Sequence, residues 1–150
     1  WLEGAVDRGL VGCYGVSSER GFRSTGPELH DLYGLWRIAE EVAGSAHHFG
    51  AIQLPLNTKE TEGIELRNHS RHGRMRSTLE AADELGCTVV VNRPFRNGQT
   101  LVGCPPEQLV DDVTRALEFV CGVKGVATVL VGMRRVEHVE RNLSIGMGRV

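Results

Sequence analysis

The stretch Val126–Asn142, VATVLVGMRRVEHVERN, decides the fold. Its first six residues are apolar or β-branched, and such a run predicts a strand buried on both faces, as in a parallel sheet flanked by helices. Gly132 then begins a loop that carries Arg134 and Arg135, and a short helical pattern follows. Because parallel α/β proteins bind ligands at the carboxyl ends of their strands, two guanidiniums beside a helix N-terminus predict a phosphate site. The alternative is that both arginines are solvated surface charges.

The same strand-then-helix unit occurs four times along the chain. The predicted strands begin near Gly12, Phe49, Cys87 and Val126. The predicted helices cover Trp1–Arg8, Leu29–Ala43, Ser77–Leu85 and Pro105–Val120. A strand spacing of about 38 residues is typical of a parallel α/β structure, and four units amount to half of a TIM-type (β/α)8 barrel. An open doubly wound sheet is one alternative, but the dinucleotide fingerprint G-x-G-x-x-G is absent. Another alternative is a small flavodoxin-like open parallel sheet.

Two local signals lie between the second and third predicted strands. Ser77 and Glu80 form the pattern of a capping box, which predicts a helix start. The polar segment Pro55–Arg76 precedes it and is predicted to be a long loop, which in a compact domain is usually functional or mobile.

Composition excludes several classes of protein. The 150 residues contain 41% hydrophobic and 24% charged side chains, which is ordinary for one soluble globular domain. A formal net charge of −2 argues against a nucleic-acid partner. No apolar run approaches the roughly 20 residues that span a bilayer, and no signal-peptide pattern opens the chain. We therefore expect no membrane partner and a cytoplasmic location, with an organelle stroma as the alternative. The start at Trp1 suggests a fragment or a processed product.

The cysteines and histidines do not form a recognisable metal or disulfide pattern. The four cysteines have no short paired spacing. The pair His47-His48 and the pair His69 and His72 lack a carboxylate or cysteine that would complete a ligand set. We therefore predict no metal site.

Four motifs occur in register along almost the whole chain. They are GVSS at Gly15–Ser18, QLPLN at Gln53–Asn57, NRPF at Asn92–Phe95 and VGMRRVEHVERN at Val131–Asn142. Together they resemble the C-terminal half of the aldo-keto reductases. In that family the fifth strand ends in G-V-S-N, the sixth carries a glutamine with an asparagine four residues on, and the eighth is followed by a P-G loop and a helix closing on E-N.

This resemblance implies an architecture and a function. Residues 1–150 would be a single partial domain with strands five to eight of the barrel. The complete protein would be an NADP(H)-dependent oxidoreductase that interconverts carbonyl and alcohol substrates by hydride transfer. Its N-terminal half would be the missing partner of this chain. The alternative is a non-catalytic nucleotide-binding or regulatory module of the same fold. Neither a particular substrate nor an oligomeric state is predicted.

The resemblance also implies which residues contact the nicotinamide half of the cofactor. Ser17 and Gln53 match residues that hold the carboxamide, and Ser18 stands in place of the family's asparagine. Asn92 occupies a position where many members stack a tyrosine under the ring, and Arg93 lies in the loop near the pyrophosphate. An amide needs both a donor and an acceptor to be held in one orientation, which these side chains can provide. The alternative for Ser17 is a loop-capping hydroxyl.

A second group is implied to bind the 2′-phosphate and adenine. Its members are Gly132, Met133, Arg134, Arg135, His138, Arg141 and Asn142. Arg141 replaces a common glutamate. The family's catalytic aspartate, tyrosine, lysine and histidine lie in the other half of the barrel, and neither Tyr14 nor Tyr33 is in a catalytic setting. We therefore predict no catalytic residue in this chain.

Overall fold

A computed structural model describes residues 1–147 as a layer of helices on one parallel sheet, with a separate hairpin. The strands are β1 Tyr14–Ser17, β2 Phe49–Pro55, β3 His69–Arg71, β4 Arg74–Arg76, β5 Thr88–Asn92 and β6 Val126–Val129. The α-helices are α1 Leu2–Asp7, α2 Leu32–Ala43, α3 Glu62–Glu65, α4 Thr78–Leu85, α5 Pro106–Gly122 and α6 Val136–Met147. Short 3₁₀ helices cover Gly21–Arg23, Gly26–Glu28, Gly44–Ala46 and Arg96–Leu101.

The order of the main sheet is β1-β2-β5-β6, and every neighbouring pair is parallel. Each strand therefore pairs with the next one along the chain, apart from the small antiparallel hairpin β3–β4. A flavodoxin-like sheet reverses its strand order at a switch point, whereas a barrel does not. The flavodoxin-like alternative is therefore wrong. The observed fold is an α/β arrangement consistent with part of a TIM barrel.

The hydrophobic core lies between the sheet and its helices. Ile52 and Leu54 of β2 and Val89 and Val91 of β5 alternate along their strands and are almost completely buried against the helix layer. The intervening residues face the other side of the sheet, as the two-residue period of a strand requires. That side is only half-buried, because one layer of helices covers only one face of the sheet.

The prediction that Val126–Val131 is buried on both faces is wrong. The strand is shorter, and its residues Ala127 and Thr128 are exposed. The physical reason is position, since β6 is an edge strand with a neighbour on one side only among residues 1–147.

The starts of α2 and α4 are set by side-chain caps, and the sequence predicts the cap of α4. The hydroxyl of Ser77 accepts from the backbone N–H of Glu80, whose carboxylate accepts from the backbone N–H of Ser77. This is the predicted capping box, and α4 ends at Gly86 in the left-handed conformation that glycine favours. In α2, Asp31 accepts a hydrogen bond from Gly34 and sets a start at Leu32, three residues later than predicted.

The prediction of a long loop over Pro55–Arg76 is wrong. The segment contains α3 and the hairpin β3–β4, whose turn at His72 and Gly73 has two positive φ angles of 50° and 74°. The hairpin is anchored by His69, which is completely buried although polar. A strand whose buried residue is a histidine gives no apolar alternation, so its pattern in the sequence is that of a loop.

The first strand, predicted to begin near Gly12, is displaced. The strand β1 begins at Tyr14, and Val11 is exposed. Gly15 opposes Ala51 so closely that an added Cβ would lie 2.0 Å from the Ala51 carbonyl oxygen. No helix in the described part of the chain is long and apolar enough to cross a membrane.

Candidate functional site

The open face of the sheet carries three of the residues predicted for the nicotinamide end, which are Ser17, Gln53 and Asn92. Ser17 and Gln53 are direct partners in the β1–β2 register, so their side chains emerge on the same face of the sheet. Beside them is a shallow hollow of about 200 Å³, whose walls are formed by Gly15, Val16, Ser17, Ala51, Ile52, Gln53 and Val90. The small residues in this set leave the backbone accessible, so the hollow is open to a flat polar ligand.

A buried amide lies at the end of the next strand. Asn92 is the last residue of β5, and its side-chain oxygen is buried without a hydrogen-bond partner among the described residues. No hydrogen bond to the side chain of Gln53 is found in the same part of the chain. Because buried polar atoms are nearly always paired, the oxygen of Asn92 is an exception within the described residues, whereas the side chain of Gln53 is half-buried and can be reached from the open face.

Ser18 has a structural role. Its hydroxyl oxygen accepts a hydrogen bond of 2.9 Å from the backbone N–H of Gly21, and its own backbone N–H donates to Gln53 O at 3.0 Å. The loop-capping hydroxyl that we considered for Ser17 is therefore found at Ser18, one residue later.

Arg93 does not point freely into solvent. Its guanidinium makes a two-pronged ion pair with the carboxylate of Glu19, in the loop after β1. Its carbonyl oxygen accepts from the amide of Asn57 at 3.1 Å. The loops after β1 and β2 are thereby both bonded to the loop after β5, at the carboxyl edge of the sheet.

Asn57 forms the centre of a polar network that was not predicted. It is completely buried, donates to Glu60 and to Arg93 O, and accepts from two backbone amides. Partial burial raises the pKa of the Glu60 carboxyl group. The bonds of this group to Asn57 and Arg23 have the larger combined effect, so its pKa is lowered. Asn57 is thus a turn residue, one of the two roles that its type allows. No pattern of neighbouring residues in the sequence indicates the ion pair between Glu19 and Arg93.

Four residues predicted for the adenosine end lie together. Gly132, His138, Arg141 and Asn142 line a cavity of about 210 Å³, which is completed by Phe95, Leu101, Leu109 and Val113. Met133 instead lines a larger cavity of about 540 Å³ beside β6, and Asn142 lies on the wall of both. The structure therefore brings together residues from the loop after β5, α5 and α6.

Arg134 and Arg135 lie outside both cavities and are exposed. The carbonyl of Arg135 accepts from the backbone N–H groups of His138 and Val139, so this residue lies at the start of α6. Within residues 1–147, neither guanidinium has a carboxylate within 4 Å. Two uncompensated positive charges thus lie at a helix N-terminus, where the helix dipole also favours anions.

The two tyrosines have hydroxyls that are already hydrogen-bonded. Tyr14 donates to Glu3 at 2.6 Å and Tyr33 donates to Glu84 at 2.7 Å. Burial, followed by the bond to the carboxylate, raises the pKa of each to about 12. Neither is therefore suited to give up a proton near neutral pH.

Comparison with known proteins supports the fold. No protein-family model and no curated protein matches the sequence. Among solved structures, the holo form of an aldo-keto reductase from Bacillus halodurans is similar, with a TM-score of 0.58 and 17% sequence identity. The match covers 97% of this chain and 48% of the reductase, so the chain spans about half the length of that protein. At this identity the likeness shows the fold alone, a parallel α/β arrangement consistent with part of a TIM barrel.

Proposed function

We propose that this chain is the cofactor-binding, C-terminal half of an aldo-keto reductase-like enzyme that uses NADP(H) to interconvert carbonyls and alcohols. The proposal rests on one observation. Ser17, Gln53 and Asn92 come at the carboxyl ends of three adjacent parallel strands, where α/β barrels bind their ligands.

The residues on the open sheet face fit a nicotinamide carboxamide. That group offers an N–H₂ donor and a carbonyl acceptor. Gln53 and Ser17, which are partners in the β1–β2 register, can supply one of each. When bound, the cofactor would supply the hydride. The role of these side chains would be to fix the orientation of the carboxamide, and through it the face of the ring presented to the substrate.

The loop after β6 fits a phosphate. Arg134 and Arg135 lie beside the N-terminus of α6 without carboxylate partners in the described part, and guanidinium–phosphate bonds are charge-assisted and often bidentate. The neighbouring cavity with His138, Arg141 and Asn142 offers a place for the adenine. We therefore propose a preference for NADPH over NADH.

The edges of the sheet support the proposal of a second half. On the β1 side, Ile38 and Val42 of α2 are 53% and 70% exposed, and on the β6 side Met133 and Leu143 are exposed. Two open parallel edges with exposed apolar residues beside them fit a second set of βα units that would close a barrel. That half would supply the proton donor and bind the substrate.

The test is cofactor binding by the full-length protein, measured by fluorescence titration with NADPH and NADH. Replacing Arg134 and Arg135 together with alanine should weaken NADPH binding tenfold to hundredfold per lost contact, about 1.5–3 kcal/mol each, and leave NADH binding nearly unchanged. Replacing Arg8 and Arg37 with alanine removes the same charge from two exposed positions, one just after α1 and one in α2, and serves as the control. Equal weakening of both cofactors would contradict the 2′-phosphate assignment.

A second candidate function is a non-catalytic nucleotide-binding or regulatory module of the same fold. In this chain the hydroxyls of Tyr14 and Tyr33 are engaged with Glu3 and Glu84, which fits a binding role for this half under either candidate. Binding of NADPH without turnover of any carbonyl by the full-length protein would support this module. Turnover would support the enzyme.

A further inference from the structure

The hairpin β3–β4 carries a concentration of positive charge. The segment Arg67–Arg76 contains four arginines and no acidic residue, although the whole chain has a formal net charge of −2. The first and last residues of this segment are paired with Glu80 and Glu84 of α4. Arg71 and Arg74 have no carboxylate partner among residues 1–147. The positive charge that stays uncompensated is therefore at the end of the hairpin.

The two unpaired arginines lie opposite each other. Arg71 and Arg74 are direct partners in the antiparallel β3–β4 register, on either side of the two-residue turn. Side chains at such positions emerge on the same face, with their Cβ atoms roughly 4.5–5.5 Å apart, and like charges directly opposite each other are destabilising. The hairpin therefore keeps a repulsive pair at a position where a neutral residue would be more stable.

The surroundings of the hairpin hold this pair in place. The Cζ atom of Arg71 lies 5.1 Å from the centre of the Tyr33 ring in α2, a cation–π contact that restrains the guanidinium. The hydroxyl of Tyr33 in turn donates to Glu84 of α4. At the base of the hairpin, the completely buried His69 hydrogen-bonds to the first residues of α2 and α4. The two guanidiniums are thus presented from an anchored hairpin rather than from an unsupported loop.

The shape and charge of this surface select the class of partner. Residues 70–75 are all exposed, so the end of the hairpin projects into solvent. Small ligands bind in concave sites that bury most of their surface, which a projecting turn cannot do. A nucleic acid would need more phosphate contacts than two arginines provide, and the rest of the chain has an excess of acidic residues. A short acidic segment of a protein fits two closely spaced guanidiniums best.

We propose that Arg71 and Arg74 form a docking surface for an acidic segment of a partner protein. A carboxylate between the two guanidiniums makes charge-assisted hydrogen bonds and also relieves the repulsion that the free hairpin bears. Because the contacts are few and exposed, the affinity should be modest and should fall as the salt concentration rises. The hairpin contains none of the residues assigned to the cofactor, so this inference does not depend on the proposed function.

The test measures binding of a fluorescent oligoglutamate peptide to the full-length protein by anisotropy, at low and at physiological salt. Arg71→Gln and Arg74→Gln should each weaken binding about two- to fivefold, the range expected for an exposed charge pair. Arg8→Gln and Arg37→Gln remove the same charge from exposed positions elsewhere and are the matched controls. These control variants should change binding less.

A second measurement separates loss of binding from loss of folding. Arg74→Glu replaces repulsion with attraction across the hairpin. This variant should therefore abolish peptide binding and raise the urea concentration at the midpoint of unfolding. A fall in this midpoint would contradict the repulsive pair on which the proposal depends.

Several results would overturn the proposal. One is unchanged peptide binding when Arg71 and Arg74 are both replaced with glutamine, which would leave them the edge-protecting role of charged residues on exposed strands. Another is equal weakening in the control variants. Tighter binding of duplex DNA than of the peptide, lost in the same double variant, would identify a nucleic acid as the partner instead. Dimers of the wild-type protein that the double variant abolishes would identify a second copy of the chain.

Discussion

The buried His69 should make the stability of this protein depend on pH in a defined window. Its Nδ1 accepts from the backbone N–H of Leu32 at 3.2 Å, and its Nε2 lies 3.0 Å from the hydroxyl oxygen of Thr78. That hydroxyl donates its only hydrogen to Phe22 O at 2.6 Å. Nε2 must therefore carry the ring proton, and the neutral imidazole satisfies every partner.

Burial lowers the pKa of His69, although the nearby carboxylate of Asp31, 3.6 Å from Nδ1, acts in the opposite direction. The unfolded chain therefore binds this proton more readily than the folded one. Stability from His69 should be fully present above the unfolded pKa of about 6.5 and should be lost as the pH falls below it. The loss should reach at most about 1.4 kcal/mol per pH unit, until the folded pKa is passed.

Replacing His69 with leucine should test this account. The variant leaves the amide of Leu32 buried without a partner, which should cost about 1–3 kcal/mol at pH 7.5. It also removes the titrating group, so the difference from wild type should shrink as the pH is lowered from 7.5 to 5. The assay is urea unfolding of the full-length protein, followed by circular dichroism at several pH values. His72→Asn, at the exposed hairpin turn, keeps a residue that tolerates positive φ and is the control. Parallel stability curves for wild type and His69→Leu between pH 5 and 7.5 would refute the reasoning.

Three further predictions concern the sheet. Gln53→Ala should clearly reduce the hydride-transfer rate of the full-length protein and leave its melting temperature nearly unchanged. A large fall in melting temperature with an unchanged rate would mean that Gln53 has a structural role. Gly15→Ala should lower the free energy of unfolding in urea by about 1–3 kcal/mol, because its Cβ would collide with the backbone of Ala51. Gly12→Ala, where the added Cβ meets open space, is the control. Equal stability of the two variants would contradict the close approach of β1 and β2. Residues 1–150 alone should show no NADPH oxidation with a carbonyl panel and should form dimers or aggregates through the two open edges, as checked by mass in solution; a stable monomer or turnover above background would contradict this.

The edge of the sheet where the candidate site lies could be predicted from the sequence, whereas the choice of Ser17, Gln53 and Asn92 came from the family resemblance. A strand followed by a helix places its loop at the carboxyl edge whatever the rest of the chain does, so Ser17, Gln53, Asn92 and Arg135 could be assigned to that edge in advance. Their roles toward a cofactor stay predictions. The partner of Arg93 could not be predicted, because Glu19 lies 74 positions away in the chain and no local pattern links the two.

By itself, the sequence determined what depends on near neighbours in the chain. The βα repeat, the capping box at Ser77 and the left-handed end of α4 at Gly86 are local, because propensity and capping act over a few residues. Only the tertiary structure decided what depends on distant contacts. It made β6 an exposed edge, it turned a polar segment into a hairpin anchored by His69, and it neutralised Arg93 with Glu19. Burial and charge pairing are properties of the assembled chain, since they depend on which distant segments meet.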